Sequence, residues 1–161
     1  QVIQINFSDG IQFEILPAFR KNRDFYVYAD TNNGGRWRSS YPKLEINRMK
    51  DKNDSSKGLL VDTCRYLRLL RDYLPVYISP SGITIDSFVY WEIENYHWIP
   101  ENNQIESRES FYSYFTHLME RFYLYKYNTQ IQAIDGWNFI PFDSEGLERL
   151  LDLAIKVNYN R

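Results

Sequence analysis

The sequence predicts an α+β fold in which short strands come first and helices follow. Residues 2–16 alternate apolar and polar side chains on either side of a Ser-Asp-Gly turn, as in a β-hairpin. From residue 59 onward, apolar residues recur every three or four positions, which is the spacing of amphipathic helices. Strands that precede a run of helices are typical of the α+β class.

The composition indicates a folded protein with no overall electrostatic preference. The chain has 161 residues, of which 43% are apolar and 17% aromatic, so whole-chain disorder is excluded. The formal charge of −2 gives no reason to expect a nucleic acid or an anionic membrane as a required partner. No apolar run approaches the ~18 residues of a membrane span, and we expect a cytoplasmic protein.

Two residues are candidates for chemistry because of their sequence context, the acid Glu14 and the single cysteine Cys64. Glu14 lies within the apolar strand "FEIL", where alternation places it on the face opposite Phe13 and Ile15. On its own, such a residue is most often a solvated outward side chain. Cys64 is the single cysteine, which excludes an intrachain disulfide and a multi-cysteine zinc cluster. We expect Cys64 to be a buried and unreactive thiol.

The segment after Pro17, which ends the second strand, is predicted to contain one short strand at residues 25–29 and then a polar loop at residues 30–40. This loop, "DTNNGGRWRSS", carries two glycines and Trp37. The tryptophan either stacks on a base or is a buried anchor for the loop, and the second role is the commoner one. Another polar segment, residues 53–58, is predicted to be a domain boundary.

Four helices are predicted after that boundary, at residues 59–74, 84–96, 107–125 and 143–157, with a loop at 135–142. The first helix carries Arg65, Arg68 and Arg71 on one ridge beside its leucine stripe. Arginine suits phosphate because its planar fork donates two parallel hydrogen bonds. The plain alternative is a solvated helix face on which Asp62 and Asp72 are the partners of the arginines.

Taken in order, these segments resemble the oligoadenylate-synthetase-like nucleotidyltransferases, and among them the bacterial cGAS/DncV-like group (CD-NTases). "FEILPAF" is similar to the family strand F-D-[VI]-L-P-A-F, and "YADTNNGGRWRSSYPK" to the Gly-Gly-Arg-Trp segment that follows it. "RYLRLLRDYL" resembles the helix L-[IV]-R-L-[LV]-K-x-W, and "SPSGITIDSFVYWEI" a helix start S-x-Y-x-L-E. "AIDGWNFIPFDSEGLERLLDLA" resembles the C-terminal segment of the family.

The resemblance implies a site and a chemistry. Glu14 falls on the third metal-binding carboxylate, and Arg68 and Arg71 fall on the residues that face the nucleotide triphosphate. Ser81 is placed to reach phosphate, and Trp37 is the candidate for base stacking. The family joins nucleoside triphosphates into cyclic di- or oligonucleotides for anti-phage signalling, releasing pyrophosphate with Mg²⁺ or Mn²⁺ as cofactor. Residues 1–56 would then be the distal part of the palm, and residues 57–161 the helical nucleotide-binding lobe.

Three substitutions depart from the family pattern, because Glu14 replaces Asp, Arg71 replaces Lys, and Ile83 replaces a base-stacking aromatic residue. The family's G-S motif and its paired D-x-D acids precede the "LPAF" strand and are absent here. We therefore expect the chain alone to be inactive and to depend on the N-terminal half of the same protein. The alternatives are a non-catalytic nucleotide- or protein-binding module of the same fold, and a helical interaction domain with an incidental hairpin.

Overall fold

A computed structural model describes residues 3–30, 35–93 and 108–159. Within these ranges, strands precede most of the helices, which confirms the predicted α+β class. The chain divides into two compact units, Gln1–Ile46 and Asn47–Arg161. The strands are β1 Ile3–Asn6, β2 Gln12–Ile15, β3 Ala18–Arg20, β4 Tyr26–Asp30, β5 Arg36–Ser40, β6 Gln130–Gln132 and β7 Phe139–Pro141. The helices are α1 Pro42–Ser55, α2 Leu59–Arg71, α3 Gly82–Glu92, α4 Arg108–Phe122 and α5 Ser144–Tyr159.

The predicted hairpin is confirmed, and its register separates two faces. Strands β1 and β2 pair antiparallel, with Ile3 opposite Ile15 and Gln4 opposite Glu14. Gly10 has a φ of +87° in the connecting turn, a backbone conformation that glycine adopts without steric cost. The apolar face and the face of Glu14 are therefore opposite, as alternation predicted.

The predicted polar loop at residues 30–40 is wrong over most of the part that the structure describes. Residues Arg36–Ser40 form β5, which pairs along its whole length with β4 in the antiparallel sheet β3-β4-β5. Arg38 Nε lies 2.6 Å from the Asp30 carboxylate on the paired strand. The prediction of strands relied on apolar alternation, which β5 lacks. This strand is held by its hydrogen bonds to β4 and by the cross-strand ion pair. Residues 31–34 lie outside the described ranges.

Helix α1 was not predicted, and its residues explain why. It extends into the first half of the segment that was predicted to be a boundary, and Pro42 opens it at a position where a missing N–H has no cost. In the second unit, Arg48 Nη1 donates to the Ile134 carbonyl at 2.9 Å and buried Lys52 Nζ to the Tyr90 carbonyl at 2.7 Å. Lys52 Nζ also lies 4.1 Å from the centroid of the Tyr90 ring. A helix anchored by cationic side chains gives no apolar periodicity.

The core of the second unit is built from the apolar faces of α2 to α5. The leucine stripe predicted for the first long helix is confirmed, because Leu60, Leu67 and Leu70 are buried. Ring contacts continue the core, with the centroids of Phe88 and Phe122 6.4 Å apart. The fully buried hydrophobic residues of α3 to α5 are Ile85, Phe88, Val89, Tyr114, Phe115, Leu118, Phe122, Leu147, Leu150, Leu151 and Ala154.

The predicted loop at residues 135–142 is partly wrong, because its end forms β7 of a hairpin with β6. Fully buried Asp135 shapes the turn, accepting from the backbone N–H groups of Trp137 and Asn138 at 2.8 and 2.9 Å. Trp91 Nε1 donates to the Gln132 carbonyl at 2.9 Å and ties the hairpin to α3. An aspartate-centred turn is a local signal that the loop interpretation overlooked.

Of the predicted helices, α2 and α5 are confirmed within two or three residues at each end. Helix α3 begins two residues before the predicted start and is described as far as Glu92, and α4 ends three residues before the predicted end. The predicted stretch from residue 94 to residue 107 lies outside the described ranges. Among the described helices, we find no segment whose length and apolar content would let it cross a membrane.

Two leucines on α2 test this packing. Leu67 is fully buried, whereas Leu69 is 64% exposed on the same helix. We expect Leu67→Ala to lower the free energy of unfolding by about 2–5 kcal/mol, through lost transfer energy and the cavity that remains. The matched variant Leu69→Ala should change it by less than about 0.5 kcal/mol. Urea denaturation followed by circular dichroism measures both, and equal effects would contradict the packing described.

Candidate functional site

Glu14 is an exposed carboxylate on the polar face of the first hairpin. Its Oε1 accepts a hydrogen bond from Gln4 Nε2 at 3.1 Å across the strands. That contact orients the carboxylate and leaves Oε2 available to a further ligand. In the described ranges, no group of three or more His, Cys, Asp or Glu residues is placed to hold a metal ion. The metal role of Glu14 therefore stays a prediction, and it needs ligands beyond those that the described residues bring together.

Trp37 is not the buried anchor that its sequence context favoured. It lies on β5 opposite Ala29 and is 63% exposed. Its ring packs edge-on against Phe19, with centroids 5.6 Å apart and an interplanar angle of 61°. Exposure leaves the other ring face available for stacking, so its nucleotide role stays a prediction.

In the second unit, Arg68 is held by a carboxylate that the sequence reasoning missed. Arg68 Nε donates to Asp86 Oδ1 at 3.1 Å, and Arg68 Nη2 donates to Asp86 Oδ2. This hydrogen bonding raises the pKa of Arg68 above its ordinary value. The arginine side chain is 45% exposed, and the aspartate side chain only 18%. Asp86 lies on α3, five residues after Ser81. This position beside a predicted phosphate ligand is the sequence signal from which Asp86 could have been predicted.

Ser81 caps the helix against which that guanidinium lies. Its Oγ accepts from the Thr84 N–H at 3.2 Å and lies 2.8 Å from Thr84 Oγ1. A Cβ placed on Gly82 would lie 3.1 Å from Arg68 Cζ, so the guanidinium rests against the first turn of α3. The structure thus brings Arg68 and Ser81 together where the first amides of a helix lack intrahelical partners.

The other two arginines of the α2 ridge are placed differently. Arg71 Nη2 lies 3.6 Å from Asp72 Oδ1, so the expected partnership with that aspartate is confirmed. Arg65 is exposed to solvent. Asp62 was the second expected partner of the arginines, but Arg68 pairs with Asp86 of α3. The ridge is therefore not a uniform solvated face.

Cys64 lies behind the pair, on the buried side of α2. Desolvation by burial, and then the neighbouring Asp86 carboxylate, raise the pKa of its thiol far above the ordinary range. The thiol is 5% exposed. A protonated and buried thiol is a poor nucleophile, which agrees with the inert role expected from the sequence.

A second concave region lies at the far end of α3 and was not predicted. It encloses about 300 Å³ between Trp91, Glu92, Arg121, Tyr125 and the β6-β7 hairpin. The buried Glu92 carboxylate accepts from Arg121 Nε and from Tyr125 Oη, each at 2.5 Å. Burial, and then the hydrogen bond to Glu92, raise the pKa of Tyr125 to about 12. Both carboxylate oxygens are thus engaged within the protein, and the cluster serves to compensate a buried charge.

Comparisons with known proteins identify the fold of the chain. Residues 1–53 match the family model of the Second Messenger Oligonucleotide or Dinucleotide Synthetase domain. Among solved structures, the fold is similar to a STING-associated CdnE c-di-GMP synthase from Capnocytophaga granulosa, with a TM-score of 0.65 and 22% identity. It is also similar to the CdnE cyclic dinucleotide synthase of Elizabethkingia meningoseptica, solved with GTP and Apcpp, with a TM-score of 0.69 and 14% identity. No curated protein sequence matches the chain.

The two structural matches cover nearly all of this chain but only part of each synthase. They cover 99% and 98% of this chain, but only 54% and 62% of the two synthases. The chain therefore has the fold of a CD-NTase-like nucleotidyltransferase and spans little more than half the length of the synthases that it resembles. The resemblance found in the sequence motifs is confirmed at this level.

The reactivity of Cys64 tests the geometry behind Arg68. At pH 8 the raised pKa keeps the thiol protonated, and burial hides it from reagents. We expect its reaction with a disulfide reagent such as DTNB to be at least about a hundredfold slower in the native protein than in urea. The absorbance of the released thiolate measures a single site, because the chain has one cysteine. Equal rates in both states would show that this side of α2 is open.

Proposed function

We propose that this chain is the C-terminal part of a bacterial CD-NTase-like nucleotidyltransferase. The complete protein would join nucleoside triphosphates into cyclic di- or oligonucleotide second messengers, with release of pyrophosphate, for anti-phage signalling in the cytoplasm. Residues 1–56 would supply the distal part of the palm and residues 57–161 the helical lobe. The observation that carries the proposal is the pairing of a CD-NTase-like fold with Arg68 and Ser81 at the N-terminus of α3.

This end of α3 has the chemistry that a triphosphate requires. The first amides of a helix point toward an approaching anion, and the helix dipole favours negative charge there. Arg68 adds a positive charge with N–H donors that Asp86 does not use, and the Ser81 hydroxyl lies at the same end of the helix, where it bonds with Thr84. Arg71 lies one turn farther along α2 as a second cation. These groups would bind and orient the triphosphate, while Trp37 is proposed to stack on a base.

Glu14 would hold a divalent cation, Mg²⁺ or Mn²⁺, together with two acids from a preceding segment. When bound, such ions neutralise charge that develops on phosphate oxygens and align the attacking and leaving groups. Gln4 holds the Glu14 carboxylate in place, so that one oxygen stays available. The longer side chain of Glu, compared with the usual Asp, extends this ligand by one methylene.

The proposed preceding segment also has a surface to cover. The apolar face of the β1-β2 hairpin leaves large side chains between 41% and 55% exposed, and these are Ile3, Ile5, Phe13 and Ile15. Contiguous apolar side chains of this kind are typical of surfaces that pack against another part of a protein. The two synthases are also longer than this chain. A segment that supplies both acids and this covering would complete the palm.

The proposal is tested by product formation. The protein, expressed with any coding sequence that precedes Gln1, is incubated with Mg²⁺ and labelled nucleoside triphosphates, and cyclic products are separated by chromatography. We expect products from the complete protein and a loss of at least about a hundredfold in Glu14→Gln, which removes a metal ligand.

Glu145→Gln is the matched control, because Glu145 is an exposed acid on α5 whose partner is Arg149 at 2.8 Å. Its rate should stay within about twofold of the unchanged protein. Unchanged activity in Glu14→Gln would overturn the metal role of Glu14. No product from the complete protein, together with no pair of acids in the preceding sequence, would overturn the enzymatic function.

A second candidate is a non-catalytic nucleotide- or protein-binding module of the same fold. The observation in its favour is that Arg68, Ser81 and the N-terminus of α3 lie together in one unit, whereas the described residues form no group of three potential metal ligands around Glu14. Under this alternative the complete protein binds ATP in calorimetry, and Arg68→Ala weakens that binding, but no pyrophosphate is released. Pyrophosphate release from ATP or GTP would exclude it.

A further inference from the structure

We infer that Asp86 is a positioning residue for Arg68, holding its guanidinium so that one edge faces the triphosphate. This inference rests on the proposed nucleotide site and deepens it. It assigns a role to an acid that itself does not contact the ligand.

The geometry of the ion pair carries the inference. Asp86 Oδ1 accepts from Arg68 Nε at 3.1 Å, and Oδ2 accepts from Nη2, so the carboxylate takes the side-on edge of the guanidinium. A guanidinium has five N–H donors in a fixed fork. The pair uses one at Nε and one at Nη2, which leaves both protons of Nη1 and the second proton of Nη2. One proton of Nη1 and the remaining proton of Nη2 form the end-on edge, which binds two phosphate oxygens in parallel, and the other Nη1 proton points back toward Cδ.

Gly82 and Asp86 on α3 restrict the movement of the Arg68 guanidinium. The guanidinium lies against the backbone of Gly82, where an added Cβ would come within 3.1 Å of Cζ. Asp86 is the less exposed partner, and its own position on α3 is fixed by its buried neighbours Ile85 and Ser87. A long side chain that would otherwise sample many rotamers is thereby ordered before the ligand arrives. Ordering in advance removes a cost of binding.

Asp86→Asn changes ATP affinity in opposite directions, depending on whether Asp86 positions Arg68 or only neutralises its charge. If Asp86 only neutralised Arg68, Asp86→Asn would free a cation and tighten the binding of an anion. If Asp86 positions Arg68, the same change weakens binding, because the arginine must be ordered by the ligand itself. We expect ATP to bind about three- to tenfold more weakly to Asp86→Asn, with partial rescue in Asp86→Glu.

The first measurement reads the side chain without any nucleotide. In ¹⁵N NMR of the complete protein, the Arg68 Nε–H signal, assigned by its loss in Arg68→Ala, should show a rigid group. It should become mobile in Asp86→Asn. The matched control is Asp152→Asn, which breaks the exposed pair with Lys156 on α5 and should leave the signal unchanged. A mobile Arg68 in the unchanged protein, or no response to Asp86→Asn, overturns the inference whatever the protein binds.

The second measurement is ATP affinity by calorimetry in the same variants and in the double variant. Asp86→Asn should weaken binding on its own and add nothing once Arg68 is alanine, since its effect passes through that residue. If Arg68→Ala weakens binding but Asp86→Asn leaves it equal or tighter, the inference is wrong and the proposed nucleotide site stands. If Arg68→Ala has no effect, the nucleotide role of Arg68 and the inference both fail.

Discussion

The packing of α2 against α3 is the constraint on which the proposed phosphate site depends. Burial of Leu67 and Leu70 fixes the rotation of α2, and Arg68, which lies about 100° around the helix from Leu67 and on the side away from Leu70, is then outside the buried face. The buried face of α3 begins one turn after its cap, so the first amides of that helix stay near the surface. One hydrophobic contact thus sets a cation beside a helix N-terminus.

Two carboxylates of α3, Asp86 and Glu92, are each compensated by an arginine. The carboxylate of Asp86 offsets Arg68 beside the proposed ligand site, and Glu92 at the other end of α3 is matched by Arg121 and Tyr125. The two clusters differ in what they leave available. At Glu92 both carboxylate oxygens are engaged, whereas Arg68 keeps an edge of its guanidinium free of Asp86. The ligand site is therefore proposed at Arg68, which keeps N–H donors available, and not at the more deeply buried Glu92.

The outcome of the sequence predictions follows from the kind of signal each element carries. Apolar spacing predicted the leucine stripe and helix α5, because burial of an apolar face creates that pattern. Strict alternation predicted the two faces of the hairpin, which the strand register confirms. The same reasoning overlooked α1, which is anchored by Arg48 and Lys52 through carbonyl oxygens. It also overlooked β5, whose pairing is polar. The motif resemblance named Arg68 as a candidate but not its partner Asp86, because their ion pair joins two helices, and the only local signal was the position of the acid five residues after Ser81.

The central claim is that this chain holds one acid of a shared metal site and the cationic part of a nucleotide site. Binding of Mn²⁺ in the presence of ATP, measured by electron paramagnetic resonance, tests it most directly. In the 161 residues alone we expect only weak Mn²⁺ binding, which Glu14→Gln leaves unchanged. In the protein expressed with any coding sequence that precedes Gln1, we expect a tighter site, which Glu14→Gln abolishes. Tight binding by the chain alone, or a tight site that does not respond to Glu14→Gln, would contradict the account.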